Sequence, residues 1–264
     1  MPEGDTVWLT AHRLDRALSG RALTTCDFRV PALATVDLTG RIVTEVVPRG
    51  KHILMRLDDL TVHSHLKMDG SWYLSRAGER LPRRHPEHMI RALLGNAEWL
   101  SIGYRVHDLR VVTRADEAML VGHLGPDLLG PDWDAERAAA NLRREPEIAI
   151  GEALLDQRNL AGIGNLYKCE VLFVERVHPW TPVREIGDLH RIVTTAHRLM
   201  RANRDHPEQS TTGYTDRGRA HWVYDRAGEA CLRCRTPIAR AEQGTPPRTR
   251  LTYWCPGCQP ARPG

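Results

Sequence analysis

Cys231-x-x-Cys234 and Cys255-x-x-Cys258 constrain this chain more than any other feature, because four thiols in two short turns have few alternatives to a shared metal ion. One such turn lets two thiolates reach the same ion, and a second completes a tetrahedral site with no open position. The tail must therefore double back between the turns as a β-hairpin, held by one structural Zn2+ that does no catalysis itself. Cys26 and Cys169 stand apart and read as small buried apolar residues. In a reducing compartment the paired cysteines are metal ligands rather than disulfides. The chain shows neither a signal-peptide pattern nor an apolar run of about eighteen residues, so a soluble cytoplasmic protein is expected.

A length of 264 residues suits two domains, or one domain with an appended module. Asp5 precedes Val7, Ala11, Leu14 and Leu18 at helical spacing, with Gly20 as a stop. This pattern predicts a helix over 6–19 with Asp5 as its cap. From Ala22 to about Arg114 short runs rich in Val, Ile, Leu and Thr follow, among them 41–47, 53–57, 61–65, 71–74 and 109–112, and predict an antiparallel sandwich or barrel. Gly125-Pro126-Asp127 and Gly130-Pro131-Asp132 mark the best boundary, after which helices are expected at 134–142, 148–157, 165–174 and 187–202. The expected fold class is α+β multidomain. An amino-terminal helix and β-sandwich (1–124) leads through a linker (125–132) to a helical domain with a mobile loop (133–220), then to a zinc hairpin (221–264).

The net charge of +4 and pI of 8.8 favour a nucleic-acid partner only mildly, so any basic surface must be local. Lys51, Lys67 and Lys168 are the only lysines. Removing Met1 would leave Pro2 as a secondary amine at a helix start. An α-amino group titrates near neutrality and can form an iminium with an aldehyde-level carbon, while Glu3 beside it can move a proton. The turn within His63-Ser64-His65-Leu66-Lys67-Met68-Asp69-Gly70-Ser71-Trp72 carries an unbranched apolar residue at its tip, and such a residue can fill the gap left by a rotated base. Met68 and Trp72 could equally be core residues. Ala161-Gly162-Ile163-Gly164-Asn165 opens a helix whose free amides could grip a phosphate, or serves only to pack two helices. Arg250, on the hairpin, could be held toward a second phosphate.

Together these pieces resemble the formamidopyrimidine-DNA glycosylase/endonuclease VIII family. The matching residues are Met1-Pro2-Glu3-Gly4, Arg49-Gly50-Lys51, Ser64-His65 through Gly70-x-Trp72, and Leu160-x-Gly162-Ile163-Gly164-Asn165-x-Tyr167-x-x-Glu170. The tail adds Arg250-x-Thr252-x-x-Cys255-Pro256-x-Cys258-Gln259. The Met-Pro-Glu-Gly opening and the Trp72 turn look more like the endonuclease VIII branch. The resemblance implies an amino-terminal helix plus antiparallel β-sandwich, a helix-two-turn-helix domain and a zinc hairpin. It further implies a monomeric, bifunctional DNA glycosylase/abasic-site lyase of base excision repair that acts on damaged duplex DNA and excises oxidised bases, pyrimidines first. Pro2 would be the Schiff-base nucleophile, Glu3 the proton donor, and Lys51 a basic residue near the lesion phosphate. β- and δ-Eliminations would then cut the strand on both sides. His65, Lys67, Met68, Arg110, Asn165 and Arg250 would contact DNA.

Three departures stand out. Thr6 occupies the place of a second glutamate in many members, the stretch 107–112 lacks the Pro and aromatic wedge of the formamidopyrimidine branch, and acidic Asp69 is unexpected beside phosphates. Two other readings stay open from the sequence: an abasic-site lyase with little base excision, and a non-catalytic nucleic-acid-binding zinc protein.

Overall fold

The computed structural model describes residues 2–79, 86–216, 218–247 and 249–261. The chain divides into two compact units, Met1–His123 and Leu124–Gly264.

In the first unit, helix α1 (Gly4–Leu18) buries Val7, Ala11, Leu14 and Leu18, the positions its spacing predicts. It begins two residues earlier than expected, and Glu3 rather than Asp5 stands at its N-cap. Asp5 instead accepts the Thr6 amide from within the first turn at 2.7 Å. Among the described residues nine strands follow: β1 (Arg21–Ala22), β2 (Thr25–Phe28), β3 (Ile42–Arg49), β4 (His52–Leu57), β5 (Leu60–His65), β6 (Ser71–Arg76), β7 (Ile90–Gly95), β8 (Trp99–Tyr104) and β9 (Asp108–Thr113). They form two antiparallel sheets, ordered β1-β3-β4-β5-β9 and β2-β7-β8-β6. One core joins α1 to Val43, Val46, Met55 and Val62 of the first sheet and Phe28, Ala92 and Leu94 of the second, so the sandwich closes over the helix's apolar stripe. Two anchors fix α1. Asp15 accepts the Val46 amide at 2.8 Å, and Asn96 donates to the Ala17 carbonyl at 2.9 Å. A short helix, α2 (Glu117–Val121), ends the unit, and its Glu117 is paired with Arg56 of β4.

In the second unit, helices α3 (Ala135–Leu142), α4 (Ile150–Leu155), α5 (Asn165–Val174) and α6 (Leu189–Asn203) surround a core of Leu142, Leu154, Tyr167, Leu172, Ile192 and Met200. Asp134 and Asp188 cap α3 and α6 by accepting the amides of Arg137 and Arg191, each at 2.9 Å, which sets those helix starts one to two residues later than expected. The stretch 125–132 is packed rather than open: Leu128 is fully buried, and Pro126 and Leu128 exchange backbone hydrogen bonds with Ala161. Strands β10 (Ala239–Gln243) and β11 (Arg250–Trp254) form the hairpin. It packs on α5 through Cys169, Phe173, Ile238 and Tyr253. Among the described residues no helix is long and apolar enough to cross a membrane.

Candidate active site and nucleic-acid interface

The position of the amino terminus follows from how α1 lies on β3. Asp15 sits beside Val46, and Gly20 donates to the Val43 carbonyl, so helix and strand run in opposite directions. From Asp15 back to Gly4 the helix advances about 16 Å. From Val46 on to Lys51 the chain also covers about 16 Å. Pro2 and Glu3 therefore lie at the same end of this unit as the turn Gly50-Lys51. That turn is two residues long, between the paired Arg49 and His52, and Gly50 adopts φ +58°, the left-handed region that glycine enters without strain. Pro2 is half-buried and Glu3 fully buried. Met1 lies outside the described residues.

Next to this turn three histidines share one face of the sheet, because His52 opposes His65 in register and His63 lies two residues before it. His52 Nδ1 and His63 Nε2 stand 2.7 Å apart and share one hydrogen. The rings of His52 and His65 meet edge-on at 4.8 Å. Burial, with His65 and His63 alongside, pushes His52 down to about 3, and burial with Lys67 and Lys51 nearby pushes His65 down to about 4. Burial also lowers His63. All three imidazoles are thus neutral at physiological pH. His65 is fixed further by accepting the Lys67 amide on Nδ1 at 3.0 Å, which leaves its Nε2 as the protonated nitrogen.

His65 leads into the Lys67-Met68-Asp69 turn. Met68 is 62% exposed, which rules out a core role, whereas Trp72 packs partly buried against the core and donates to Ser64 Oγ at 3.1 Å. Lys67 has φ +56°, and its ammonium reaches Asp108 at 3.0 Å. Arg110, exposed and opposite His63 in register, has its Nε 3.7 Å from the same carboxylate. Although burial resists ionisation, the bond from Lys67 holds Asp108 below the usual carboxylate range. Asp69 pairs with Arg105 at 3.5 Å. Asp108 and Arg105 carried no assignment from the sequence; no spacing signal marks a residue that acts by crossing from one strand's end to another's turn.

The second unit brings Asn165 and Arg250 together. Asn165 opens α5 after Gly162, whose φ is +102°, and its Nδ2 donates to the Leu251 carbonyl at 2.7 Å, next to exposed Arg250. Asn165 Oδ1 is buried and has no hydrogen-bond partner among the described residues. Gln157 knits the preceding turn: it accepts the Gly162 amide at 3.0 Å and donates to the Ile163 carbonyl at 3.0 Å. Lys168, fully buried on α5, donates to Thr252 at 2.6 Å and ties the helix to β11. Glu170, also fully buried, accepts the amides of Trp222, Val223 and Tyr224 at 2.7–2.8 Å and the Thr211 hydroxyl. The expected loop 206–219 is thus tied at its base, where Asn203 and Ser210 exchange two bonds and the Thr211 amide donates to the Ala220 carbonyl at 2.9 Å.

The sulfurs of Cys231, Cys234, Cys255 and Cys258 all lie within 4.8 Å of one another, with close pairs at 3.3, 3.5 and 3.9 Å. A tetrahedral zinc with bonds of about 2.3 Å requires sulfur separations of about 3.8 Å, so the donor set fits that ion. Gln259 supports the knuckle: it accepts the Cys255 amide at 3.0 Å and donates to the Val177 carbonyl at 2.7 Å. A side chain at Gly257 would meet Thr236 Oγ1 at 2.6 Å, which explains a glycine inside the second turn.

Comparison with known proteins agrees along the whole chain. The formamidopyrimidine-DNA glycosylase N-terminal domain matches residues 1–115 and the formamidopyrimidine-DNA glycosylase H2TH domain residues 124–212. The chain is 57% identical to "Probable endonuclease 8 2" of Streptomyces coelicolor, covering 100% of this chain and 97% of that protein. It is 46% identical to "DNA-(apurinic or apyrimidinic site) lyase Nei2" of Mycolicibacterium smegmatis, over 99% and 100% of the two chains. The fold matches that of Lactococcus lactis Fpg, solved with DNA containing an abasic site, at a TM-score of 0.80 and 22% identity, covering 98% of this chain and 100% of that one.

Proposed function

The chain belongs to the formamidopyrimidine-DNA glycosylase/endonuclease VIII family, in its endonuclease VIII-like branch, and from that premise we propose that it is a DNA glycosylase and abasic-site lyase of base excision repair with Pro2 as its nucleophile. The observation that carries the reading is the placement of the amino terminus and the Gly50-Lys51 turn at one end of the sandwich unit.

With Met1 removed, the Pro2 nitrogen attacks C1′ of the extruded nucleotide and the bond from C1′ to the base breaks, the base leaving with a proton. Glu3 protonates the ring oxygen as the sugar opens, and the amine loses its hydrogen to give the C1′ iminium. The positive end of α1 favours the neutral, attacking form of the amine. The iminium acidifies the C2′ hydrogen. Its removal expels the 3′ phosphate, and a second elimination expels the 5′ phosphate. Lys51 neutralises the lesion phosphate, and Asn165 and Arg250 grip the backbone. Met68 fills the gap in the duplex, with Arg110 facing the widowed base. One Zn2+ on the four cysteines keeps the hairpin folded; it supplies structure and no step of the reaction.

A second reading, in which abasic-site cleavage dominates over base excision, draws on Thr6 in place of a carboxylate and on the Mycolicibacterium relative's name. The test is cleavage of matched duplexes carrying an oxidised pyrimidine, an oxidised purine or an abasic site. Excision of the oxidised pyrimidine leaving phosphate on both flanks supports the first reading. Cleavage of the abasic duplex alone supports the second, and binding without cleavage of any duplex refutes both.

A further inference from the structure

The turn that carries Met68 is fastened on both of its sides to a single short segment, residues 105–108. On one side Lys67 Nζ reaches Asp108 Oδ2 at 3.0 Å, and on the other Asp69 Oδ2 lies 3.5 Å from Arg105 Nη1. The backbones also meet closely. A Cβ at Gly70 would stand 2.5 Å from the Leu66 carbonyl oxygen and 3.2 Å from that of Arg105. Lys67 and Arg105 both hold left-handed backbone, at φ +56° and +53°, a conformation non-glycine residues keep only where the surroundings enforce it. Lys67 is further fixed by its amide bond to His65, and Arg105 by its amide bond to the Met89 carbonyl at 2.9 Å. Met68, between the two fastened residues, is 62% exposed.

From this arrangement we infer that Asp108 and Arg105 are positioning residues, which staple the turn so that Met68 is presented to the duplex as a preformed wedge. The inference rests on the reading of Met68 as the residue that enters DNA. It accounts for acidic Asp69 beside phosphates: its charge is spent on Arg105. It also links the two inserting groups, since Asp108 holds Lys67 with one oxygen and lies 3.7 Å from Arg110 Nε with the other. A wedge ordered before contact loses less conformational freedom on insertion than a floppy turn. On a single strand there is no stack to enter, so the staple has no bearing on the chemistry at Pro2.

The test is stopped-flow insertion into a duplex carrying a stable abasic-site analogue opposite 2-aminopurine, alongside cleavage of a single-stranded abasic oligonucleotide. Arg105→Gln and Asp108→Asn each slow insertion about threefold and together about tenfold, in line with part-exposed ion pairs. Single-strand cleavage stays within about twofold of the unmodified protein. Asp69→Arg adds a cation next to the DNA, yet it slows insertion, and combining it with Arg105→Asp restores the rate. Three results overturn the inference: insertion that is unchanged in Arg105→Gln and Asp108→Asn, insertion that is faster in Asp69→Arg, or equal losses on single and double strands. Met68→Ala separates the two levels. If it abolishes the 2-aminopurine signal while the staple variants do nothing, the wedge stands and the staple falls; if it leaves the signal intact, the wedge reading itself fails.

Discussion

Glu170 presents the most demanding test of how the second unit is held together. Its carboxylate is fully buried, with Oε1 accepting the amides of Val223 and Tyr224 at 2.8 Å and Oε2 the Trp222 amide at 2.7 Å together with the Thr211 hydroxyl. Glu170→Ala leaves three backbone donors buried without an acceptor. At roughly 1–3 kcal/mol for each orphaned group, and allowing for water entering the gap, the loss is about 4 kcal/mol. That is a large share of a domain's usual stability of about 5–15 kcal/mol. Glu170→Gln keeps one acceptor oxygen and turns the other into a donor facing the Trp222 amide, so it loses about half as much. Urea denaturation should show the second unit's midpoint lowered by about 2 M in the alanine variant, taking a denaturant slope of about 2 kcal/mol/M. Hydrogen exchange should show the amides of residues 222–224 opening first. An alanine variant that unfolds within about 1 kcal/mol of the unmodified protein, with those amides still protected, would refute the reasoning.

Other consequences are as specific. His52, near 3, and His65, near 4, sit below the ordinary histidine value of 6.5, so between those values the unfolded chain binds more protons than the folded one. The stability they confer is complete above about pH 6.5 and drains away as pH falls, by about 1–2 kcal/mol for each imidazole at pH 5. Urea midpoints of the sandwich unit that stay level or rise from pH 7 to pH 5 would contradict this. Gly70→Ala puts a methyl 2.5 Å from the Leu66 carbonyl oxygen. It should cost about 1–3 kcal/mol and impair duplex cleavage, and a variant with normal melting and normal cleavage would show that the close approach is unimportant. Removing zinc by chelation should weaken duplex binding by about tenfold or more while the sandwich keeps its melting profile, because the four thiols lie in the other unit. Normal binding after chelation would deny the hairpin a part in holding DNA.

The architecture was legible wherever one residue type has one physical use. Cys231, Cys234, Cys255 and Cys258 admit a closed metal site and little else, and the apolar stripe of α1 reads directly from Val7, Ala11, Leu14 and Leu18. Strands β7 and β8 carry a weaker signal. Ile90–Gly95 is buried along nearly its whole length, so it lacks the alternation that marks a half-exposed strand. Helix starts slipped where the cap lies outside the helix, as with Asp134 and Asp188. At the candidate site, local motifs pointed to Lys51, Asn165 and Arg250, but their arrangement arises from contacts distant in sequence. Asn165 meets β11 across the Leu251 carbonyl, and Lys67 meets Asp108 between the ends of separate strands. Glu170 illustrates the same limit: part of a recognisable motif, it accepts the backbone amides of residues 222–224, more than fifty positions away, which no local pattern marks.

Borohydride reduction during turnover on an abasic-site duplex, followed by peptide mapping of the cross-linked product, addresses the central claim most directly. The account predicts a covalent adduct whose DNA is attached to the nitrogen of Pro2 in a chain lacking Met1. It further predicts that the adduct is lost when Met1 is retained. A cross-link mapped to Lys51, or strand cleavage at an undiminished rate by protein that keeps its methionine, would contradict it.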